Sequence, residues 1–141
     1  MIRIVLDTNV LVSGIMAPQS PPAQILRQIT EGQVRLLVSE PIKQEAKAVL
    51  GYPKITKIFQ KQGISQKIVA STLSNLLQIA ITTPGKLKVE AVKQDPSDNI
   101  FLGCAVEGQA DFIVSGDHHL KDLKTYQGIK IIEPARFLQL I

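Results

Sequence analysis

The sequence has one cysteine, no tryptophan and no apolar run long enough to span a bilayer. The lone Cys104 cannot close an internal disulfide. It sits in an apolar stretch, which fits a core thiol of a reduced, cytoplasmic protein better than a redox or zinc site. The opening apolar run meets Asp7 too early for a signal peptide, so neither secretion nor membrane insertion is expected. No Gly-x4-Gly-Lys-Ser/Thr loop occurs, which excludes the P-loop nucleotide hydrolases. Internal repeats, low-complexity tracts and recognisable linkers are also missing. At 141 residues and 45% apolar composition, one domain over residues 1–141 is expected, able to bury a core without staples.

Acidic charge is scarce in one region and concentrated in the next. Residues 41–88 hold the single acid Glu45 against eight lysines, a local balance of +7. Residues 89–122 hold seven acids against two lysines, a balance of −5. Such a division predicts a basic surface beside an acidic pocket. Collectively the basic residues, among them Lys43, Lys47, Lys54, Lys57 and Lys61, suit a polyanion, with nucleic acid the leading candidate.

The stretch Ile4-Val5-Leu6-Asp7-Thr8-Asn9 organises what is present. An apolar, β-branched run reads as a buried strand near the middle of a parallel sheet, and it ends on a carboxylate. Ligands and catalytic groups gather outside the carboxyl ends of such strands. Two readings of Asp7 are open, an N-cap for the next helix or a catalytic acid. Residues 10–16 read as a short helix or turn, and residues 17–22 as a loop punctuated by prolines. Ala23, Ile25, Leu26 and Ile29 recur at helical spacing up to Gly32. Residues 34–38 form a second buried strand, and Ser39 is a good N-cap for the helix after it. There Ile42, Ala46, Val49 and Leu50 make the apolar stripe, with Glu45 along its edge. Glu45 either reaches toward Asp7 or lies on the surface.

Residues 52–80 are helical in character, with Pro53 at a start, Gly63 as a break and Ser65 as a cap. Ile68, Val69, Leu73, Leu76, Leu77 and Ile79 give the apolar side, and residues 79–83 form a short strand. In Asp95-Pro96-Ser97-Asp98-Asn99, Asp95 is placed as N-cap, Pro96 at N1 and Asp98 at N3 of an apolar helix. Asp95 serves the cap, whereas two readings of Asp98 are open, support of the cap and helix dipole or projection from the end of the helix into a pocket. The run Phe112-Ile113-Val114-Ser115-Gly116-Asp117 repeats the opening pattern, so Asp117 lies beside Asp7 if the two strands are neighbours. Asp111 reads as a turn residue and His118 and His119 as exposed. Residues 129–132 form a last strand and residues 134–140 a closing helix.

Asp7, Glu45, Asp98 and Asp117 thus share one rim of a parallel sheet. Two carboxylates ~4 Å apart repel by about 4 kcal/mol at an effective dielectric near 20, so the cluster needs protons or a cation. Oxygen ligands select Mg²⁺ or Mn²⁺ over zinc. Such an ion lowers the pKa of bound water and neutralises a phosphodiester for in-line attack. A haloacid-dehalogenase-type phosphatase would need an acid where Asn9 stands, and a receiver-type phosphoacceptor lacks its acidic pair and its lysine.

In these four stretches, taken in order, the chain resembles the PIN-domain family of ribonucleases. Val5-Leu6-Asp7-Thr8-Asn9-Val10 resembles the first motif and Ser39-Glu40-Pro41-Ile42 through Glu45 the second. Asp95 to Asn99 resembles the third, and Ala110 to Asp117 the fourth. The resemblance is closest to the VapC-like bacterial and archaeal branch described as toxins of toxin–antitoxin pairs. It implies a three-layer α/β/α sandwich with a central, mainly parallel sheet, and Mg²⁺- or Mn²⁺-dependent cleavage of single-stranded RNA. It also implies an antitoxin partner and a homodimer. Carried over residue by residue, it makes Asp7, Glu45, Asp98 and Asp117 the catalytic and metal-holding acids. Thr8, Asn9 and Ser115 would orient them, and Asp95 matches a less central acid. Because the family includes members that keep the fold and lose cleavage, the alternative is a catalytically silent module binding nucleic acid or a partner.

Overall fold

The apolar run at the start of the chain forms β1 (Arg3–Leu6) in a computed structural model that describes residues 1–92 and 98–141. The further strands are β2 (Arg35–Val38), β3 (Ile81–Thr82), β4 (Phe112–Val114), β5 (Thr125–Tyr126) and β6 (Ile129–Ile132). Among the described residues they make one sheet of six strands, ordered β3-β2-β1-β4-β6-β5. Every neighbouring pair is parallel except β5 and β6. Ile4, Val5, Leu37, Ile113 and Val114 are fully buried, as strands covered by helices on both faces require. The architecture is a three-layer α/β/α sandwich, as expected.

The helices are α1 (Thr8–Met16), α2 (Pro21–Thr30), α3 (Glu40–Leu50), α4 (Pro53–Lys61), α5 (Gln66–Ile79), α6 (Asn99–Glu107), α7 (His118–Lys121) and α8 (Pro134–Leu140). Several starts follow from side-chain caps that satisfy otherwise orphaned N–H groups. Ser39 Oγ accepts from Ile42 N at 3.5 Å and Ser65 Oγ from Ile68 N at 3.2 Å. Ser20 Oγ accepts from Ala23 N at 3.3 Å, so Pro21 and Pro22 open α2 rather than belonging to the loop before it. Proline fits there because the first helical N–H groups have no partner inside the helix. The buried side of α5 is narrower than its apolar residues suggest. Val69, Leu73 and Leu76 are buried, but Ile68 and Ile79 are 54% and 46% exposed.

The helix α6 packs over β1, β2 and β4 and carries the third acidic segment. Its first residue is Asn99, with Asp98 already in helical conformation just before it. The expected capping role of Asp95 falls outside the described residues. A backbone strap fixes α6 in place. The Glu107 carboxylate accepts the N–H groups of Gly85, Lys86 and Leu87 at 2.8, 3.2 and 3.3 Å. The Asn99 amide accepts from Val92 N at 2.8 Å and donates to Val92 O at 3.1 Å. Gly103 permits the close approach, since a Cβ there would lie 2.9 Å from the Leu87 carbonyl oxygen. The edge strand β5 and the short α7 have no counterpart in the sequence expectations. Among the described residues, no helix is long and apolar enough to cross a membrane.

Candidate metal centre

The chain leaves β1 toward β2 on one side, while β4 flanks β1 on the other. Strand order therefore reverses between β1 and β4, which opens a crevice at their carboxyl ends. Asp7 sits there, 3% exposed. One of its oxygens accepts from Val10 N at 2.8 Å and caps α1, while the other accepts the Ser115 hydroxyl. Ser115 is fully buried, and its Oγ also accepts from Asp117 N at 2.9 Å. One hydroxyl thus ties the ends of two neighbouring strands together. The two readings of Asp7 are compatible, because the capping carboxylate also lines the crevice.

Asp7, Glu45, Asp98 and Asp117 line one cavity of about 120 Å³, together with Thr8, Asn9, Val49 and Phe101. They come from β1, α3, the start of α6 and the end of β4. Glu45 faces the cavity and accepts the Thr8 hydroxyl, so it reaches toward Asp7 as the stripe-edge position suggests. Asp98 is 6% exposed. Burial pushes the Asp7 carboxyl above its ordinary value, the Ser115 and Val10 hydrogen bonds oppose that, and the Asp117 and Glu45 charges add to it. Desolvation makes the ionised form costly, and neighbouring anions make it costlier.

Within this region Asp98, Asp117 and His119 each offer one ligand atom, all within 4.8 Å of one another. The sequence reading of His119 as an exposed residue is corrected here, since its side chain is half-buried among the acids. Asp117 N-caps α7, and its Oδ1 accepts from His119 N at 2.7 Å, which places the imidazole beside the acids. His119 Nδ1 lies 3.7 Å from Asp117 Oδ1. His118 is exposed, as expected. The signal for His119 was the Asp-x-His spacing, readable only once Asp117 is taken as a helix cap. A set of carboxylates joined by one imidazole, in a polar crevice that buries the Asp7 carboxyl, fits a divalent cation.

The lysines lie elsewhere. Lys43 and Lys47, each two residues from Glu45, point to the other side of α3. They line a separate groove of about 490 Å³ with Ala70, Ser74 and Gln78 of α5. Lys54, Lys57 and Lys61 are exposed on α4. Asp95 is outside the described residues.

A family model for the PIN domain matches residues 3–119. An uncharacterized protein of Methanocaldococcus jannaschii, MJ1680, is 30% identical over 123 residues, which cover 87% of this chain and 76% of that protein. Two solved structures share the fold. VapBC2 from Rickettsia felis, bound to a DNA fragment from its promoter, superposes with a TM-score of 0.59 at 15% identity, covering 92% of this chain and 97% of that one. FitAcB from Neisseria gonorrhoeae superposes with a TM-score of 0.55 at 17% identity, covering 94% and 98%. The matched residues run from the first residue of β1 to His119 and include every acid of the cavity, and on that match the chain belongs to the PIN domain family.

Proposed function

We propose that this chain is a metal-dependent endoribonuclease that cleaves phosphodiesters of single-stranded RNA with Mg²⁺ or Mn²⁺, as the toxin of a toxin–antitoxin pair. One observation carries the reading: four acids from four separate segments converge on a single cavity at the strand-order switch. A protein that only binds gains nothing from burying Asp7 beside other anions. The fold shared with VapBC2 accords with the toxin branch that the sequence resembles.

Asp98 and Asp117 are the proposed metal-holding pair, with Asp7 and Glu45 completing the acidic set. The bound ion would lower the pKa of a water and neutralise charge on the scissile phosphate. The protein's part is to hold its acids still. Ser115 fixes Asp7 and the backbone of Asp117, while Thr8 fixes Glu45. Asn9, exposed at the mouth, is suited to contact the strand. The exposed lysines of α3 and α4 would hold the RNA backbone. An antitoxin and a second copy of the chain are the proposed protein partners.

The test is cleavage of labelled single-stranded RNA by the purified protein, with Mn²⁺ or with EDTA. Asp98→Asn removes a ligand and its charge and should cut the rate roughly a thousandfold, since metal stabilisation of the transition state is worth several kcal/mol. RNA affinity should hold or improve, because one anion fewer faces the phosphates. Metal-independent binding without cleavage of any RNA or DNA would establish the silent-module reading instead.

A further inference from the structure

We propose that His119 supplies an imidazole nitrogen to the ion held by Asp98 and Asp117, and that this donor makes the site favour Mn²⁺ over Mg²⁺. The inference rests on the metal-dependent reading above and specifies the ion.

The first ground is geometric. His119 Nδ1 and Asp117 Oδ1 are 3.7 Å apart, beyond the roughly 2.7–3.2 Å of a hydrogen bond. They face each other without bonding to each other. An ion making bonds of about 2.1 Å can join ligand atoms up to about 4.2 Å apart, so 3.7 Å suits a shared cation. The full set with Asp98, within 4.8 Å, needs only a few tenths of an ångström of closure.

The second ground is that His119 is held where it stands. Its backbone N–H donates to Asp117 Oδ1 at 2.7 Å, and its ring lies against the ring of His118 with centroids 4.1 Å apart. The plain alternative, a solvated histidine on a short helix, describes His118, which is exposed and outside the group. Adjacent residues thus provide the site residue and its control. Both Asp7 oxygens already accept hydrogen bonds, so the half-buried imidazole is well placed to complete the donor set.

The third ground is chemical. Mg²⁺ demands oxygen ligands and near-ideal octahedral geometry and keeps much of its water. Imidazole suits transition ions better, and a set in which carboxylates outnumber nitrogen lies within the range of Mn²⁺.

The experiment titrates the full-length, metal-free protein with Mn²⁺ and with Mg²⁺ by calorimetry, and records the pulsed electron paramagnetic resonance spectrum of the Mn²⁺-loaded protein. Wild type should show the nitrogen coupling of a ligated imidazole. His119→Ala should lose that coupling and bind Mn²⁺ about tenfold more weakly, while its Mg²⁺ affinity stays unchanged. His118→Ala should match wild type in every respect. A Mn²⁺-loaded wild type without nitrogen coupling, or a coupling that persists in His119→Ala, overturns the role of His119 and leaves the acidic site standing. A wild type that binds neither ion overturns the metal site itself, and with it the proposed function. If His119→Ala fails to fold, nitrogen coupling that survives in His118→Ala assigns the ligand to His119, the one imidazole that variant keeps, and its loss there overturns the proposal.

Discussion

The acidic crevice and the lysine-bearing helices are built in opposite ways. The lysines are neighbours in sequence and project from α3 and α4, so their shared exposure follows from local helical geometry. The acids are separated by up to 110 residues and meet only because β1 and β4 are paired and α3 and α6 close over their ends. Lys47, Lys54, Lys57 and Lys61 remain in solvent, where each keeps its hydration, and Lys43 is half-buried. Asp7 and Asp98 are buried, and the Asp7 carboxyl is pushed above its ordinary value by that burial. The contrast teaches where sensitivity should lie. Lysines spread over a surface act additively and weakly, whereas a converged cluster depends on every support beneath it.

The sharpest way to break that contrast is at the support. Ser115→Ala leaves the backbone intact but removes the hydroxyl that joins Asp7 to the end of β4. It should cost about 1–3 kcal/mol in denaturant unfolding, the penalty of a buried acceptor left without its donor. Metal affinity should fall about 10–100-fold in a Mn²⁺ titration, as for other groups that orient ligands. An unchanged affinity would detach Ser115 from the site.

Replacing Lys54, Lys57 and Lys61 together with Gln probes the other region. Binding should weaken for all RNA sequences, and the slope of log K against log salt should flatten by up to about 0.7 for each lost phosphate contact. Cleavage at saturating RNA should persist. A variant that binds normally and cannot cleave would show that α4 belongs to the crevice after all.

The smallest effect concerns stability without metal. Because the folded-state pKa of Asp7 is raised, its protonated form is favoured by folding. That contribution is fully present below the ordinary carboxylate pKa and is lost as pH rises through the raised value. Above that raised value the buried carboxyl is ionised, and there it destabilises the metal-free protein. Asp7→Asn keeps an acceptor for the Val10 N–H and should raise the metal-free melting temperature by about a few degrees at pH 7. The gain should shrink toward pH 4. Mg²⁺ or Mn²⁺ should raise the wild-type melting temperature and leave Asp7→Asn much less affected. Equal metal shifts in the two proteins would remove Asp7 from the ion's surroundings.

Much of this arrangement was legible in the chain itself. The strands around Ile4–Leu6 and Phe112–Val114 announced themselves as apolar runs ending near an acid, because a strand covered on both faces tolerates few polar residues. Ser39 and Ser65 marked helix starts through their hydroxyls, and the stripe of Ile42, Ala46 and Leu50 set the direction of Glu45. Each of these depends on contacts within a few residues. The tertiary structure decided which strand lies next to which, and so that Asp117 stands beside Asp7 rather than at a far edge. It also decided which apolar residues of α5 are covered, since Ile68 and Ile79 share their helix with Val69 and Leu76 but keep about half their surface in solvent. Finally it turned His119 toward Asp98 and left His118 in solvent. Two adjacent histidines are equivalent in a sequence, and they become different only when packing gives one of them a partner from another part of the chain.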